Sequence, residues 1–282
     1  MNPTFKNTFL FCLLLSQINL SQAQKKKSFN PDKQSILFNM FYNLNDGDSL
    51  EYVKKTMLRD KILILDSNSK YGRYAFVWTL IKRMELQRAK HYIEAMKQKF
   101  PDFAEGYFIA GALAEAINDS TWEQKIKKSL KLSPKSVSVY FYYANCLERR
   151  NRDADALFYF NELAKIDSLY RFLFYGRGYV QAKMGNNAEA IIDYTKVLSI
   201  NKNNFQALFN RGYSYIQLAN YELAEADFNA FIQMKNNFGG GYYYRGYSRY
   251  YLGKYDECCN DMRTAANFFY PKAIEYLKTA CK

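Results

Sequence analysis

One tripeptide occurs three times in this chain, each copy 34 residues after the one before. The copies are Arg177-Gly178-Tyr179, Arg211-Gly212-Tyr213 and Arg245-Gly246-Tyr247. Self-similarity at a period between about 20 and 50 residues is the signature of architectures in which each repeat packs mainly on its neighbours. The spacing therefore predicts a stack of similar units rather than a domain built around one central core.

Each repeat also carries a second small residue, with a large apolar residue four positions later. Ala190 and Tyr194 form one such pair, and Ala224 and Phe228 form the next. Residues four apart share one face of a helix. Each repeat is therefore predicted to be two antiparallel helices that approach closely at the small residues, with a turn between them at positions such as Gly185.

This pattern resembles the tetratricopeptide repeat family, whose 34-residue units have small residues at these two crossings and a proline near the end of the unit. The resemblance implies an all-α fold, a right-handed α-solenoid of antiparallel helix pairs. It assigns about six repeats, with boundaries at 70–102, 103–136, 137–170, 171–204, 205–238 and 239–271.

Segments on both sides of these repeats are also predicted to be helical. Residues 24–69 are expected to contain a degenerate helical pair. Residues 272–282 resemble the amphipathic capping helix with which the family covers its last repeat. The side chains expected to point inward from this helix are Ala273, Ile274, Leu277 and Ala280.

The first 23 residues have the three parts of a signal peptide in order: Lys6, an apolar run from Phe9 to Leu15, and a small-residue cleavage site that ends at Ala23. An uncleaved anchor helix is the alternative, but the run is shorter than the roughly 20 apolar residues that span a bilayer. The mature chain is therefore expected to begin at Gln24, to contain no transmembrane span, and to be exported to the periplasm, the cell surface or the medium.

The arginine of each tripeptide is followed by an aspartate 16 residues later. Where the arginine is missing the aspartate is missing too, as at Tyr143 and Tyr159. Residues that occur and disappear together within one chain are best explained by a contact between them. We therefore expect structural ion pairs between the two helices of the last three repeats: Arg177 with Asp193, Arg211 with Asp227, and Arg245 with Asp261.

Four cysteines follow the predicted cleavage site: Cys146, Cys258, Cys259 and Cys281. Their spacing fits no zinc pattern and the chain has a single histidine, so neither a metal site nor another cofactor is predicted. Two interpretations remain open for the cysteines. Either Cys258 or Cys259 forms a disulfide with Cys281 in an oxidising compartment, or all four are buried thiols.

The sequence offers little material for catalysis, and no enzyme activity is predicted. It contains neither a phosphate-binding loop with lysine nor a nucleophile elbow. His91 is interpreted as a surface histidine. Gly239-Gly240-Gly241 could present bare amides to an anion, but it is interpreted as a flexible linker into the last repeat.

Aromatic residues recur on the first helix of each repeat, which lines the concave side of such a solenoid. One ladder is common in the family, so it fits ordinary architecture as well as binding. A second set stands where the family commonly has asparagine. We expect a binding groove over residues 171–251, lined by the second set, Tyr179, Tyr213, Tyr247 and Tyr250, and by the ladder, Tyr107, Phe141, Tyr175, Phe209 and Tyr243.

The predicted partner follows from this lining and from the charge. Tyrosine suits ligands of mixed polarity, such as peptides and sugars. The formal net charge of +13 attracts anions, nucleic acid among them, but an export signal disfavours nucleic acid. The sequence therefore predicts a scaffold that binds a protein or peptide partner in its groove, with a cell-wall glycan as the alternative and nucleic acid as the least favoured ligand.

Overall fold

A computed structural model describes residues 31–42, 49–170 and 172–281, and the regular structure in these ranges is α-helical throughout. The predicted signal peptide and its cleavage site after Ala23 lie outside these ranges. Within them, no helix combines the length and the apolar character that a membrane crossing requires. The chain divides into an N-terminal unit, residues 1–138, and a C-terminal unit, residues 139–282.

The described part of the N-terminal unit consists of helices that each pack on the next one along the chain. Its core is rich in aromatic rings, and Phe38 and Phe41 are completely buried near Tyr74 and Trp78. The helices are α1 (Pro31–Tyr42), α2 (Ser49–Asp66), α3 (Lys70–Lys82), α4 (Leu86–Lys99), α5 (Ala104–Ala116) and α6 (Trp122–Leu132).

The C-terminal unit carries the candidate binding residues, and from α8 onward each helix packs on the next. Large apolar residues such as Phe160, Tyr194 and Phe228 are fully buried between the helices. The helices are α7 (Val137–Arg149), α8 (Asp153–Ile166), α9 (Leu173–Lys183), α10 (Asn187–Ile200), α11 (Phe205–Gln217), α12 (Tyr221–Met234), α13 (Gly239–Tyr251), α14 (Tyr255–Asn267) and α15 (Pro271–Thr279).

The two helices of a pair cross at the glycines of the repeated tripeptide, as predicted. A Cβ atom added to Gly178 would lie 3.1 Å from Cβ of Asp193 and 3.3 Å from the carbonyl oxygen of Ala190. A Cβ atom added to Gly246 would lie 3.0 Å from Cβ of Asp261. Because a side chain at these positions would push the helices apart, the repeated glycine sets the distance between the two helices of each pair.

The turn inside each helix pair uses the left-handed backbone conformation at one fixed position. Gly185 and Gly253 have φ values of 85° and 74°, which confirms the predicted turns. The equivalent residues of other pairs also have positive φ although they carry side chains: Met84, Asn118, Asn151 and Ala219. The backbone geometry is thus repeated more faithfully than the glycine that best suits it.

Gly239, Gly240 and Gly241 are the first residues of α13 and are buried, so their interpretation as a flexible linker is wrong. The reason is steric. A Cβ atom on Gly241 would lie 2.8 Å from the ring of Phe231, and one on Gly239 would lie 3.0 Å from Cβ of Phe268. The glycines let the start of α13 approach these aromatic side chains.

Helix α15 caps the last pair and packs on α14. Ala273 is fully buried, as expected, and Leu277 packs against the same cluster. Ile274, however, is 40% exposed, so the expectation that it points inward is wrong. The phenol of Tyr276 fills that role, because it packs over α14 with its hydroxyl 3.8 Å from Sγ of Cys258.

A disulfide joins Cys259 on α14 to Cys281, just beyond α15. It selects between the partners that the sequence left open, because Cys258 is a buried free thiol, as is Cys146. Each interpretation of the cysteines therefore holds for two of the four. The bond ties the capping segment to the last pair over a sequence separation of 22 residues.

Candidate functional site

Three arginine–aspartate pairs hold the helix pairs that carry the candidate groove. Each arginine donates two parallel hydrogen bonds, from Nε and Nη2, to the aspartate 16 residues later. The distances are 2.8 and 2.8 Å for Arg177 with Asp193, 2.8 and 2.7 Å for Arg211 with Asp227, and 3.0 and 2.6 Å for Arg245 with Asp261. The structure thus brings together each arginine and aspartate that the sequence pattern paired.

Each of these arginines also contacts the preceding helix pair. Nη1 of Arg211 donates to Oγ1 of Thr195 at 3.0 Å, and Nη1 of Arg245 donates to Oδ1 of Asn229 at 2.8 Å. The hydrogen bonds to aspartate raise the pKa of Arg177 and Arg211 above the ordinary arginine value. One guanidinium therefore joins three helices, which fixes the register between consecutive pairs.

A further ion-pair network in the last repeats was not predicted. Arg249 donates to Glu225 and to Asp261, both at 2.8 Å, and Lys254 donates to Glu225 at 2.7 Å. Burial raises the pKa of Glu225, but the hydrogen bonds from Lys254 and Arg249 outweigh it and leave the pKa below the usual value. The available signal was Glu225 itself, an acid at the repeat position that Ile191 occupies one repeat earlier.

The second set of tyrosines lies on the surface of the first helices. The side chains of Tyr179, Tyr213 and Tyr250 are 43%, 39% and 44% exposed. Tyr247 is half-buried, and its hydroxyl donates to that of Tyr251 at 3.3 Å. These phenols are therefore available to a ligand without any change in the packing of the helices.

The ladder residues of the last three repeats are half-buried. The Phe209 ring centroid lies 5.5 Å from that of Phe228 and 5.1 Å from that of Phe231. Tyr243 is covered by Tyr270, with 4.8 Å between ring centroids. Burial raises the pKa of Tyr243 and of Tyr175. These residues act as the walls of the face, with one side in the core and the other toward solvent.

The two remaining ladder residues have other neighbours. Phe141 packs against Tyr170 and Phe172, with ring centroids 5.3 and 5.8 Å away. Tyr107 belongs to the N-terminal unit, where Nζ of Lys97 and Nζ of Lys128 lie 6.0 and 5.7 Å from its ring centroid. Neither residue is among the exposed tyrosines of α9, α11 and α13.

A cluster of phenols extends the exposed face toward the capping helix. The rings of Tyr221 and Tyr251 stack with centroids 4.5 Å apart and 6° between their planes. Tyr250 lies 5.7 Å from Tyr255 and 6.4 Å from Tyr276, measured between ring centroids. The sequence pattern missed most of this cluster, because its members come from α12, α14 and α15 as well as from α13.

A cavity of about 490 Å³ opens on the surface beside this face. Aromatic rings from α9, α11 and α12 form most of its lining, together with amide side chains and one lysine. Residues of the loop between α12 and α13 complete it. The lining residues are Tyr175, Phe205, Gln206, Phe209, Asn210, Phe231, Lys235, Asn237 and Phe238.

No described part of the chain resembles a metal or catalytic centre. Among the described side chains, His, Cys, Asp and Glu nowhere form a group of three that could hold a metal ion. His91 is exposed on α4 next to Tyr92, with ring centroids 5.8 Å apart. The arrangement found in the described ranges is an exposed aromatic surface on a framework of ion pairs.

Two consecutive helix pairs, residues 173–204 and 205–238, match the family model of the tetratricopeptide repeat. These two pairs are tetratricopeptide repeats, and the ion pairs and exposed tyrosines described above lie on them and on the pair that follows. The fold is accordingly an all-α helical repeat of the kind that serves as a scaffold for protein–protein interactions.

Solved structures with this fold include three that the chain matches over most of their length. YrrB, described as a TPR protein with an unusual peptide-binding site, has a TM-score of 0.61 at 16% identity, covering 67% of this chain and 98% of YrrB. PilF of Pseudomonas aeruginosa has a TM-score of 0.61 at 16% identity, covering 78% and 97%. PilW, a type IV pilus biogenesis factor, has a TM-score of 0.59 at 15% identity, covering 74% and 98%.

Among curated proteins, the mitochondrial import receptor subunit TOM70 of Rattus norvegicus is 23% identical over 151 residues. The same receptor subunit of Mus musculus gives the same identity over the same length. The match covers 53% of this chain and 25% of the receptor, so the chain spans about a quarter of the length of these relatives. The resemblance in each case is one of repeat fold.

Proposed function

We propose that this protein is an exported, non-enzymatic scaffold that binds an extended peptide, or an extended segment of a protein partner, on the aromatic face of α9, α11 and α13. One observation carries the proposal. Tyr179 and Tyr213 repeat at a 34-residue interval and are exposed, while the helices beneath them are already held by the arginine–aspartate pairs. These rings are surplus to the framework, and a repeated row of exposed rings suits an extended ligand.

The energetics favour such a ligand. A tyrosine ring offers flat apolar area and a hydroxyl, and it loses little conformational entropy when a ligand covers it. Tyr213 is partly fixed already, because its ring packs edge-on against Tyr244 with centroids 5.3 Å apart. A residue with this combination is a good candidate for an interaction hot spot, whose removal costs about 2 kcal/mol or more.

The comparisons support the peptide class without fixing the partner. YrrB is described as having a peptide-binding site, and TOM70 is an import receptor subunit. Both descriptions fit a repeat that holds polypeptide segments. Nucleic acid is the least favoured ligand, and its phosphate contacts would show as a steep loss of affinity with added salt.

A glycan is the alternative ligand, and the phenol cluster near the capping helix favours it. The parallel rings of Tyr221 and Tyr251, with Tyr250 and Tyr255 beside them, form a flat aromatic surface on which a sugar ring could pack. Binding of soluble cell-wall fragments that is lost in Tyr251→Ala and kept in Tyr213→Ala would favour the glycan over the peptide.

Export is part of the proposal, and the disulfide between Cys259 and Cys281 supports it, because such bonds persist in oxidising compartments. We expect the mature chain to begin at Gln24. Amino-terminal sequencing of the protein recovered from the cell envelope and the medium tests this expectation. A chain that keeps Met1 and is found only in the cytoplasm would contradict it.

The peptide proposal is tested with a phage-displayed library of random 12-residue peptides, selected on the immobilised protein. For the enriched peptides, we expect Tyr213→Ala to weaken binding about thirtyfold, which corresponds to the hot-spot value above. The matched control is Phe158→Ala, which removes a ring of comparable exposure from α8. Circular dichroism should show equal helix content in all three proteins. A Tyr213→Ala variant that binds like the control would contradict the proposal.

A further inference from the structure

The 490 Å³ cavity differs in chemistry from the tyrosine face beside it. Phe205, Phe209, Phe231 and Phe238 supply phenylalanine rings rather than phenols. Lys235 is the one charged residue of the lining, which contains no carboxylate. The cavity volume falls in the range of sites that hold a ligand of defined shape. We call it the anchor pocket.

The walls of the anchor pocket are held by the core rather than by a free loop. Phe231 is almost fully buried on α12, and its ring centroid lies 5.1 Å from that of Phe209 and 5.8 Å from that of Phe238. Phe209 and Phe238 meet edge to face, with 5.7 Å between centroids. Because each ring is fixed by its neighbours, the pocket is formed before any ligand arrives, which lowers the entropic cost of binding.

The polar groups of the lining are suited to a peptide backbone. Nδ2 of Asn210 donates to the hydroxyl of Tyr175 at 3.1 Å. That bond uses one donor of the amide and leaves its carbonyl oxygen as an acceptor, while the Tyr175 hydroxyl keeps its own proton to donate. Gln206, one turn earlier on the exposed side of α11, adds a second amide. Such groups pair with backbone N–H and C=O groups of an extended chain.

Lys235 supplies the one charge in the lining. Its Nζ lies 4.6 Å from the centroid of the Phe205 ring, a cation–π contact that holds the ammonium group at the pocket. Within the described ranges, no carboxylate lies within ion-pair distance of it. The ammonium charge is therefore available to a ligand, and a ligand carboxylate is its complement.

The pocket is continuous with the tyrosine face. Tyr175 and Phe209 line it, and Tyr179 and Tyr213 stand four residues later on the same helices. Residues four apart lie one above the other on a helix face, about 6 Å apart. A ligand that starts in the pocket and runs along α9 and α11 therefore reaches the exposed tyrosines within one helical turn.

We propose that the anchor pocket binds a bulky apolar side chain of an extended peptide, and that Lys235 pairs with an acidic residue next to it. The peptide class rests on the proposed function, whereas the pairing of apolar and acidic residues follows from the pocket alone. The bound segment is then one in which an aromatic or leucine-like residue adjoins an aspartate or a glutamate, with its backbone held by Asn210 and Gln206.

The test uses the random 12-residue phage library on three proteins: the wild type, Lys235→Glu and Lys196→Glu. Lys235 is exposed, so its replacement leaves the fold intact, and Lys196 is an exposed lysine on α10 outside the pocket. We expect the wild type and Lys196→Glu to enrich peptides with an apolar–acidic pair. We expect Lys235→Glu to bind these peptides at least about tenfold more weakly and to enrich apolar–basic pairs instead.

A second measurement uses the most enriched peptide, labelled for fluorescence anisotropy, and a version in which its acidic residue is the amide. Changing that residue and changing Lys235→Gln should each weaken binding, and the two together should weaken it no more than one alone. Additive losses, or an acidic preference that survives Lys235→Glu, would overturn the anchor pocket. If Tyr213→Ala still abolishes binding in that case, the proposed function stands without it. No enrichment on the wild type would overturn both.

Discussion

Removal of the Asp227 carboxylate leaves the Arg211 guanidinium without its partner, and the cost can be worked out from the geometry. The Asp227 side chain is 7% exposed and that of Arg211 is 19% exposed. Removing one partner of a fully buried pair costs about 3 to 5 kcal/mol. Here water reaches part of the guanidinium, and Thr195 still accepts from Nη1. We therefore expect Asp227→Ala to lower the free energy of unfolding by about 2 to 3 kcal/mol.

The chain itself suggests the compensating change. Two repeats earlier, the same two positions hold Tyr143 and Tyr159, whose ring centroids are 4.4 Å apart. Well-packed apolar residues often replace a buried ion pair without loss of stability. The double variant Arg211→Tyr, Asp227→Tyr should therefore come within about 1 kcal/mol of the wild type, whereas each single variant should be clearly less stable.

Urea unfolding of the full chain, followed by circular dichroism at 222 nm and by tyrosine fluorescence, measures these differences. Coincident transitions are the control for a single cooperative step, which repeat proteins do not always show. Equal stability of Asp227→Ala and the wild type would refute the idea that the pair holds the helices together. A double variant as unstable as the sum of the singles would refute the equivalence with the tyrosine pair.

Two further predictions concern the capping segment. Cys259→Ser should lower the free energy of unfolding by about 3 kcal/mol, the loop-closure value for a sequence separation of 22 residues, and dithiothreitol should then cause no further change in urea unfolding. The hydrogen bond to Tyr251 raises the pKa of Tyr247 to about 12, and burial raises that of Tyr276 to about 12. Since these phenols ionise near pH 10 when unfolded, their contribution is complete below pH 10 and lost as the pH rises to 12. Absorbance at 295 nm follows the ionisation, and Tyr276→Phe should remove one phenol from the late phase.

The ion pairs could be predicted because sequence and structure share one period. A contact between residues 16 apart is written three times in the chain, and its absence is written as well, at Tyr143 and Tyr159. The helix crossings at Gly178 and its equivalents were predictable for the same reason. In both cases the repeat supplies its own control, since one position can be compared with its counterpart 34 residues away.

Features that occur once could not be predicted in this way. Arg249 meets Glu225 through residues that have no counterparts in the other repeats, and Tyr276 takes the inward place expected for Ile274 only because α14 ends where it does. The three glycines at the start of α13 look like a linker in sequence. They are buried because aromatic side chains, Phe231 and Phe268, pack against them.

The aromatic face shows how far periodicity reaches. A 34-residue period gives the phase of a side chain on its helix, and so it places Tyr175 and Tyr179 on the same face. It does not give burial, because burial depends on the next helix pair and on the loop between them. The loop residue Phe238 packs against the ladder residue Phe209 and turns a row of rings into the wall of a cavity.

The same reasoning explains why the framework and the binding face can change independently. The arginine–aspartate pairs hold the helices from within, so a substitution at an exposed position such as Tyr213 alters the ligand surface without loosening the packing beneath it. Lys235 lies in a loop between helix pairs and carries no framework contact of this kind. Its charge can therefore select the ligand while the repeat geometry stays fixed, which is why a reversal of charge at Lys235 should change what is bound rather than whether the protein folds.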